Sequence, residues 1–220
     1  MHDPVENLLN ISQKVKAKFN PNTNFHKFPE IIAVSKTFNI EHILPVIKQG
    51  HLHFGENKVQ EAVEKWTEIK KENKHIKLHL IGRLQTNKVK FAVKLFDYIH
   101  SLDSKKLADK INKIQNELNI KTKLFIQVNI GNENQKSGIS KDEVPDFYNY
   151  CRGIDLDVIG LMCIPPINQK TSDYFLEMND LNKKINLKDL SMGMSSDYLE
   201  AIEKGATFVR IGSSIFGNRN

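Results

Sequence analysis

Apolar and polar positions alternate along the chain in a regular rhythm. An opening segment places Leu8, Leu9, Ser12, Val15 and Phe19 near one face of a helix over about residues 3–19, with Asp3 as its N-cap and Pro4 at its first turn. After the loop PNTNFHKFPE come eight short runs rich in β-branched and apolar residues, at 31–35, 52–55, 78–82, 97–102, 124–130, 157–164, 189–193 and 207–212. Helix-period segments separate them: IEHILPVIKQG, NKVQEAVEKWTEIKKE, NKVKFAVKLF, SKKLADKINKIQNELN, KDEVPDFYNYCRG, TSDYFLEMNDLNKKIN and SDYLEAIEKG. Ser104 and Ser140 read as N-caps, and Gly50, Gly153 and Gly205 fall near helix C-termini. Continuous apolar strands, each followed by a helix, are what a parallel sheet buried on both faces requires. A doubly wound sheet would carry a glycine-rich turn after its first strand, where this chain reads VSKTFN. The pattern therefore predicts a single α/β domain over 1–220, a (β/α)8 TIM-type barrel over about 30–216 with an extra N-terminal helix.

Composition narrows the class. Forty per cent hydrophobic and 26% charged residues over 220 positions describe a globular chain. The two cysteines, Cys151 and Cys163, are too few for a disulfide scaffold. No apolar run suggests a membrane span, and the N-terminus MHDPVENLLN lacks the basic-then-apolar order of a signal peptide, so a cytoplasmic protein is expected. The net charge of +6 raises nucleic acid as a partner, but 28 of the 32 basic residues are Lys, interleaved with Glu and Asp. Lys of that kind coats solvated helix faces. Only Arg83, Arg152, Arg210 and Arg219 offer a guanidinium fork, so no nucleic-acid role is expected.

In a barrel, chemistry collects where strands end at the C-terminal face. Lys36 ends the first strand. It is either one more surface charge or an ammonium partly desolvated at the barrel mouth, and the latter becomes a reactive amine able to condense with a carbonyl. Ser195 and Ser196 follow strand seven, and Gly212, Ser213 and Ser214 follow strand eight. Each is open to a plain reading, a helix cap or a turn, but loops after strands seven and eight are a common phosphate site in such barrels. By strand alternation Phe208, Arg210 and Gly212 share one face, which turns Arg210 inward, where it needs a partner. Carbonyl, phosphate and buried Arg together describe pyridoxal 5′-phosphate (PLP). His51, His53 and His79 lack a carboxylate or Cys at ligand spacing, so no metal site is expected. Cys163 reads as a small core residue or, second, a pocket-lining thiol.

Six ordered motifs, AVSKT (33–37), HFGEN with Gln60 (53–60), HLIGRLQTNK (79–88), GLMCIPP (160–166), LSMGMSSD (190–197) and VRIGSSIFGNR (209–219), closely resemble the pyridoxal phosphate homeostasis proteins, barrels related to the N-terminal domain of alanine racemase. The resemblance implies that Lys36 carries PLP as an imine. It implies that Ser195, Gly212 and Ser213 hold the phosphate, that Arg210 lies by the pyridine nitrogen, and that Asn57 lines the pocket. Leu80 stands where the family usually has an aromatic, a change expected to alter packing only. A cation by the ring nitrogen weakens the cofactor as an electron sink. The second base of alanine racemase comes from a further domain, for which this chain is expected to have no counterpart. The resemblance thus implies a protein that buffers or delivers PLP, affecting amino-acid and keto-acid balance, with no catalytic residue of its own. A PLP-dependent amino-acid racemase of low activity is the alternative. Apo PLP-dependent enzymes are the implied partners, and a monomer is expected.

Overall fold

A computed structural model describes residues 3–22, 27–133, 135–166 and 169–217. Part of the PNTNFHKFPE loop, and Arg219 at the end of the last motif, lie outside the described residues. Eight strands, β1 (Glu30–Val34), β2 (His53–Glu56), β3 (Lys77–Leu80), β4 (Tyr98–Leu102), β5 (Lys123–Val128), β6 (Val158–Cys163), β7 (Asp189–Met194) and β8 (Phe208–Ile211), form one closed parallel barrel in sequence order. β1 closes on β8 in a continuous register from Glu30↔Phe208 to Ala33↔Ile211. Closure leaves no sheet edge and rules out the doubly wound alternative.

The helices α2 (Ile40–Lys48), α3 (Val59–Glu72), α4 (Val89–Leu95), α5 (Lys105–Leu118), α6 (Val144–Gly153), α7 (Thr171–Lys184) and α8 (Tyr198–Glu203) each follow a strand, and α9 (Ser213–Phe216) is a single turn after β8. The main core lies between strands and helices, with Ile43, Phe54, Trp66, Ile111, Phe175 and Val209 among its fully buried residues. A smaller cluster of Ile32, Val34, Phe125, Met162 and Phe208 fills the barrel interior. As alternation requires, Phe208 faces inward and Val209 and Ile211 outward. No helix among the described residues is long and apolar enough to cross a membrane.

The extra helix α1 (Pro4–Lys18) starts as expected, Asp3 Oδ1 accepting from the Val5 and Glu6 amides. Its buried face is Leu8, Ile11 and Val15, not Leu9, which is 46% exposed. Positions 8, 11 and 15 keep the i, i+3, i+7 spacing of one stripe, and position 9 is rotated off it. Ser140 caps through a reciprocal pair with Glu143, but on a 3₁₀ turn (Lys141–Glu143) that precedes α6. Ser104 occupies the cap position of α5 without a side-chain cap bond; its hydroxyl serves Asp103. Gly50 and Gly205 adopt positive φ after their helices, whereas Gly153 is still helical and Asp155 takes the left-handed conformation instead.

Candidate functional site

The C-terminal mouth of the barrel opens into a cavity of about 810 Å³. Lys36, Asn57, Ser195, Arg210, Gly212 and Ser213 all line it, joined by Val34, Phe38, Ile81, Gly82, Ile164, Met194, Ser196 and Gly217. Residues remote in sequence thus meet because the loops after β1, β2, β3, β6, β7 and β8 share one rim.

Lys36 stands two residues beyond the end of β1, half-buried. The turn that carries it is braced from behind. Thr37 holds a left-handed φ of 70°, a conformation that costs a β-branched residue of order 1–3 kcal/mol, and its N–H donates to Glu61 Oε1 at 2.7 Å. Lys65 of α3 donates to the Ser35 carbonyl at 3.1 Å, to Glu61 at 3.2 Å and to Glu56 Oε1 at 3.0 Å. Glu56 is wholly buried, and the same oxygen also accepts from Ser35 Oγ at 2.8 Å and Trp66 Nε1 at 2.9 Å. This bracket was not foreseen, although Glu56 belongs to the HFGEN motif and Trp66 is the only tryptophan.

Asn57 follows β2 directly. Its Oδ1 is buried without a hydrogen-bond partner among the described residues. Gly82 holds its backbone in place: a Cβ there would lie 2.2 Å from the Asn57 carbonyl oxygen. In sequence Gly82 belongs to the IG of the HLIGRLQTNK motif.

Ser195 is not a helix cap. Asp197 occupies that position at α8 and accepts from the Met194 N–H at 2.6 Å, leaving Ser195 Oγ to receive the amides of Gly212 at 3.3 Å and Ser214 at 3.5 Å. The two loops after β7 and β8 therefore converge on one point through a hydroxyl and two N–H groups. The helix after β8, α9, is four residues long, so its dipole contributes little here.

Arg210 is 5% exposed and points into the barrel as the alternation predicts. Its Nη1 donates to the carbonyl and the hydroxyl of Ser191, both at 2.7 Å, and its Nη2 to the Cys163 carbonyl at 2.8 Å. Burial lowers its pKa, against the opposing pull of Cys163 and Asp197. Cys163 packs in the outer core rather than lining the cavity, and burial pushes its thiol up to about 12. Among the described lining residues, Lys36 and Arg210 are the only ionisable side chains.

Comparison with known proteins fits this arrangement. The sequence profile described as "Alanine racemase, N-terminal domain" matches residues 13–220. The pyridoxal phosphate homeostasis protein of Aquifex aeolicus (strain VF5) is 39% identical over 200 residues, 86% of this chain and 87% of that protein. The structure of PipY from Synechococcus elongatus PCC7942 with PLP bound superposes with a TM-score of 0.84 at 31% identity, covering 98% of this chain and 100% of that one. An alanine racemase from Clostridium difficile 630 shares the fold at 14% identity and a TM-score of 0.73, this chain matching 57% of its length. With a closed barrel, a lysine at the end of β1 and a polar cradle after β7 and β8, the chain belongs to the family of pyridoxal phosphate homeostasis proteins.

Proposed function

We propose that this protein binds PLP at the barrel mouth and acts in its homeostasis, holding and releasing the cofactor rather than turning over a substrate. The observation that carries the reading is the convergence, in one cavity, of an amine, an anion-sized cradle and an inward guanidinium. The residues present fit the cofactor. Asn57 Oδ1 is a buried acceptor left without a partner among the described residues, and two amides and a hydroxyl meet without any carboxylate among the described lining residues.

When bound, PLP supplies an aldehyde that condenses with a primary amine. Lys36 is the amine in reach of the cavity, held on its turn by the Glu56–Lys65 bracket. Ser195, Gly212 and Ser213 would receive the phosphate. Arg210 would face the pyridine side, where a fixed cation disfavours protonation of a ring nitrogen. Asn57 donates or accepts at the cavity wall. The scarcity of ionisable groups supports a carrier: no described lining residue besides Lys36 offers a base for racemisation. On this reading the chain works in the cytoplasm as a monomer, and apo PLP-dependent enzymes receive its cofactor.

Titration of the purified chain with PLP gives a yellow protein, and Lys36→Ala removes the visible band; a wild-type chain that stays colourless in excess PLP refutes the reading. Incubation of the loaded chain with L-alanine in deuterated water separates carrier from enzyme. Inversion with deuterium at Cα at about 1 per second or faster would establish an ordinary enzyme. Transfer of PLP to an apo-enzyme without such exchange supports the carrier.

A further inference from the structure

Inside the barrel, below the cavity, side chains from five strands form one hydrogen-bonded file that ends beside a carboxylate on a sixth. Arg210 Nη1 donates to Ser191 Oγ, which lies 2.9 Å from His100 Nδ1. His100 Nε2 lies 2.9 Å from His79 Nδ1, and His79 Nε2 lies 2.9 Å from His53 Nδ1. His53 Nε2 faces Glu30 Oε2 at 3.7 Å, at the first residue of β1. The file thus joins the floor of the cavity to the opposite end of the barrel.

The ends of the file decide its direction. A neutral imidazole carries one proton, so each ring donates through one nitrogen and accepts through the other. Arginine only donates, so it fills one lone pair of Ser191 Oγ. If the Ser191 hydroxyl donates to His100 Nδ1, then His100, His79 and His53 must each carry the proton on Nε2, and the last N–H points at the Glu30 carboxylate. Reversed, the Ser191 proton has no acceptor in the file, and a lone pair of His53 faces a carboxylate. Only the first direction gives the Ser191 proton an acceptor in the file and turns the last N–H toward the nearby carboxylate.

We propose that His53, His79 and His100 are positioning residues for Arg210, all three held as the Nε2–H tautomer. Their dipoles are aligned with negative ends toward the guanidinium and positive ends toward Glu30. In this arrangement they stand in for the carboxylate that a buried arginine ordinarily has, since the bonded partners of Arg210 are neutral. Burial keeps the rings uncharged: His79 and His100 titrate well below the usual histidine value and His53 is pushed down to about 4. Stacking fixes the ring planes, His79 on Tyr98 with centroids 4.3 Å apart and His100 on Phe125 at the same separation. That the file acts on the cofactor rests on the PLP reading above; the tautomers do not.

The test uses the full chain with ¹⁵N-labelled histidine, free of cofactor. Long-range ¹H–¹⁵N spectra should show all three buried rings as Nε2–H; an Nδ1–H form of His79 or His100 overturns the proposal. Glu30 is half-exposed, so Glu30→Lys should leave the barrel folded, which a far-UV circular dichroism spectrum checks. Its ammonium would donate to His53 Nε2, and the three rings should reverse to Nδ1–H. Rings that ignore this charge reversal also overturn the proposal. In the PLP-loaded chain, Glu30→Lys should shift the visible band although position 30 touches nothing in the cavity; reversed rings with an unmoved band overturn the coupling to Arg210. Failure to bind PLP would sink the cofactor reading while leaving the tautomer result standing.

Discussion

The bracket behind Lys36 can be tested by Lys65→Met, which keeps the length of the side chain and removes its charge. The Lys65 side chain is 9% exposed and that of Glu56 is fully buried, with 3.0 Å between them. Taking one partner from such a pair strands a charge in a low-dielectric site, at a cost of about 3–5 kcal/mol. Ser35 Oγ and Trp66 Nε1 still donate to Glu56 in the variant, which favours the lower end, about 3 kcal/mol. That is a large share of the 5–15 kcal/mol that typically holds a domain folded, so Lys65→Met should fold but unfold at clearly lower denaturant. The assay is equilibrium unfolding in urea, reading the midpoint at unchanged m-value. The double variant Glu56→Gln with Lys65→Met, in which neither charge is buried, should recover much of the loss. PLP binding should weaken in both, because the bond from Lys65 to the Ser35 carbonyl is gone. A single variant within about 0.5 kcal/mol of wild type, as for an ordinary surface substitution, would refute the claim that this ion pair braces the Lys36 turn.

Three further outcomes are expected. Gly82→Ala drives a methyl against the Asn57 carbonyl, so it should cost about 1–3 kcal/mol by denaturant unfolding and weaken PLP binding together. Ser195→Ala removes the hydroxyl on which the Gly212 and Ser214 amides converge; by spectroscopic titration it should weaken PLP about tenfold, roughly 1.4 kcal/mol, and leave pyridoxal without its phosphate unchanged. The buried histidines make stability depend on pH. Their folded pKa values lie below the unfolded 6.5, with His53 at about 4, so the stability they contribute is complete above pH 6.5 and lost as pH falls toward 4. Each imidazole adds a slope of up to about 1.4 kcal/mol per pH unit, and urea midpoints that stay flat between pH 6.5 and 5 would contradict it.

Much of the fold was legible because each strand is a short apolar run whose two faces are both buried, a signal that needs no knowledge of partners. That Lys36, Ser195 and Gly212 line the mouth cavity was legible for a related reason: barrel geometry brings the first residues beyond each strand to one rim. What escaped depends on register across strands. Glu56 is a charged residue that sequence reasoning places in solvent, and its burial follows only once Lys65 and Trp66 of α3 fold back over β2. His100 read as one more strand residue, yet it joins His79 to Ser191 because β4 and β7 face each other across the barrel. The Leu9 and Ile11 exchange on α1 shows a smaller limit, since these two apolar positions lie about 200° apart around the helix and only the docked surface selects one.

The closure of β1 on β8 has a consequence for how the chain breathes. It joins distant parts of the chain: near it, the Asn7 side chain donates to the Ile215 carbonyl across 208 positions, and His42 meets the Phe216 carbonyl. Such long-range pairing carries a loop-closure entropy cost that local contacts do not. Lys36 emerges on one side of this seam and Gly212 and Ser213 on the other, with Ser195 one strand further on. A ligand held by these residues is a stitch across the seam, and at a hundredfold excess over its dissociation constant it adds about 2.7 kcal/mol against opening. On the proposed reading, loading and shedding PLP would tighten and slacken the barrel at its own join, and amide hydrogen exchange in β1 and β8 would read how much of the protein is full.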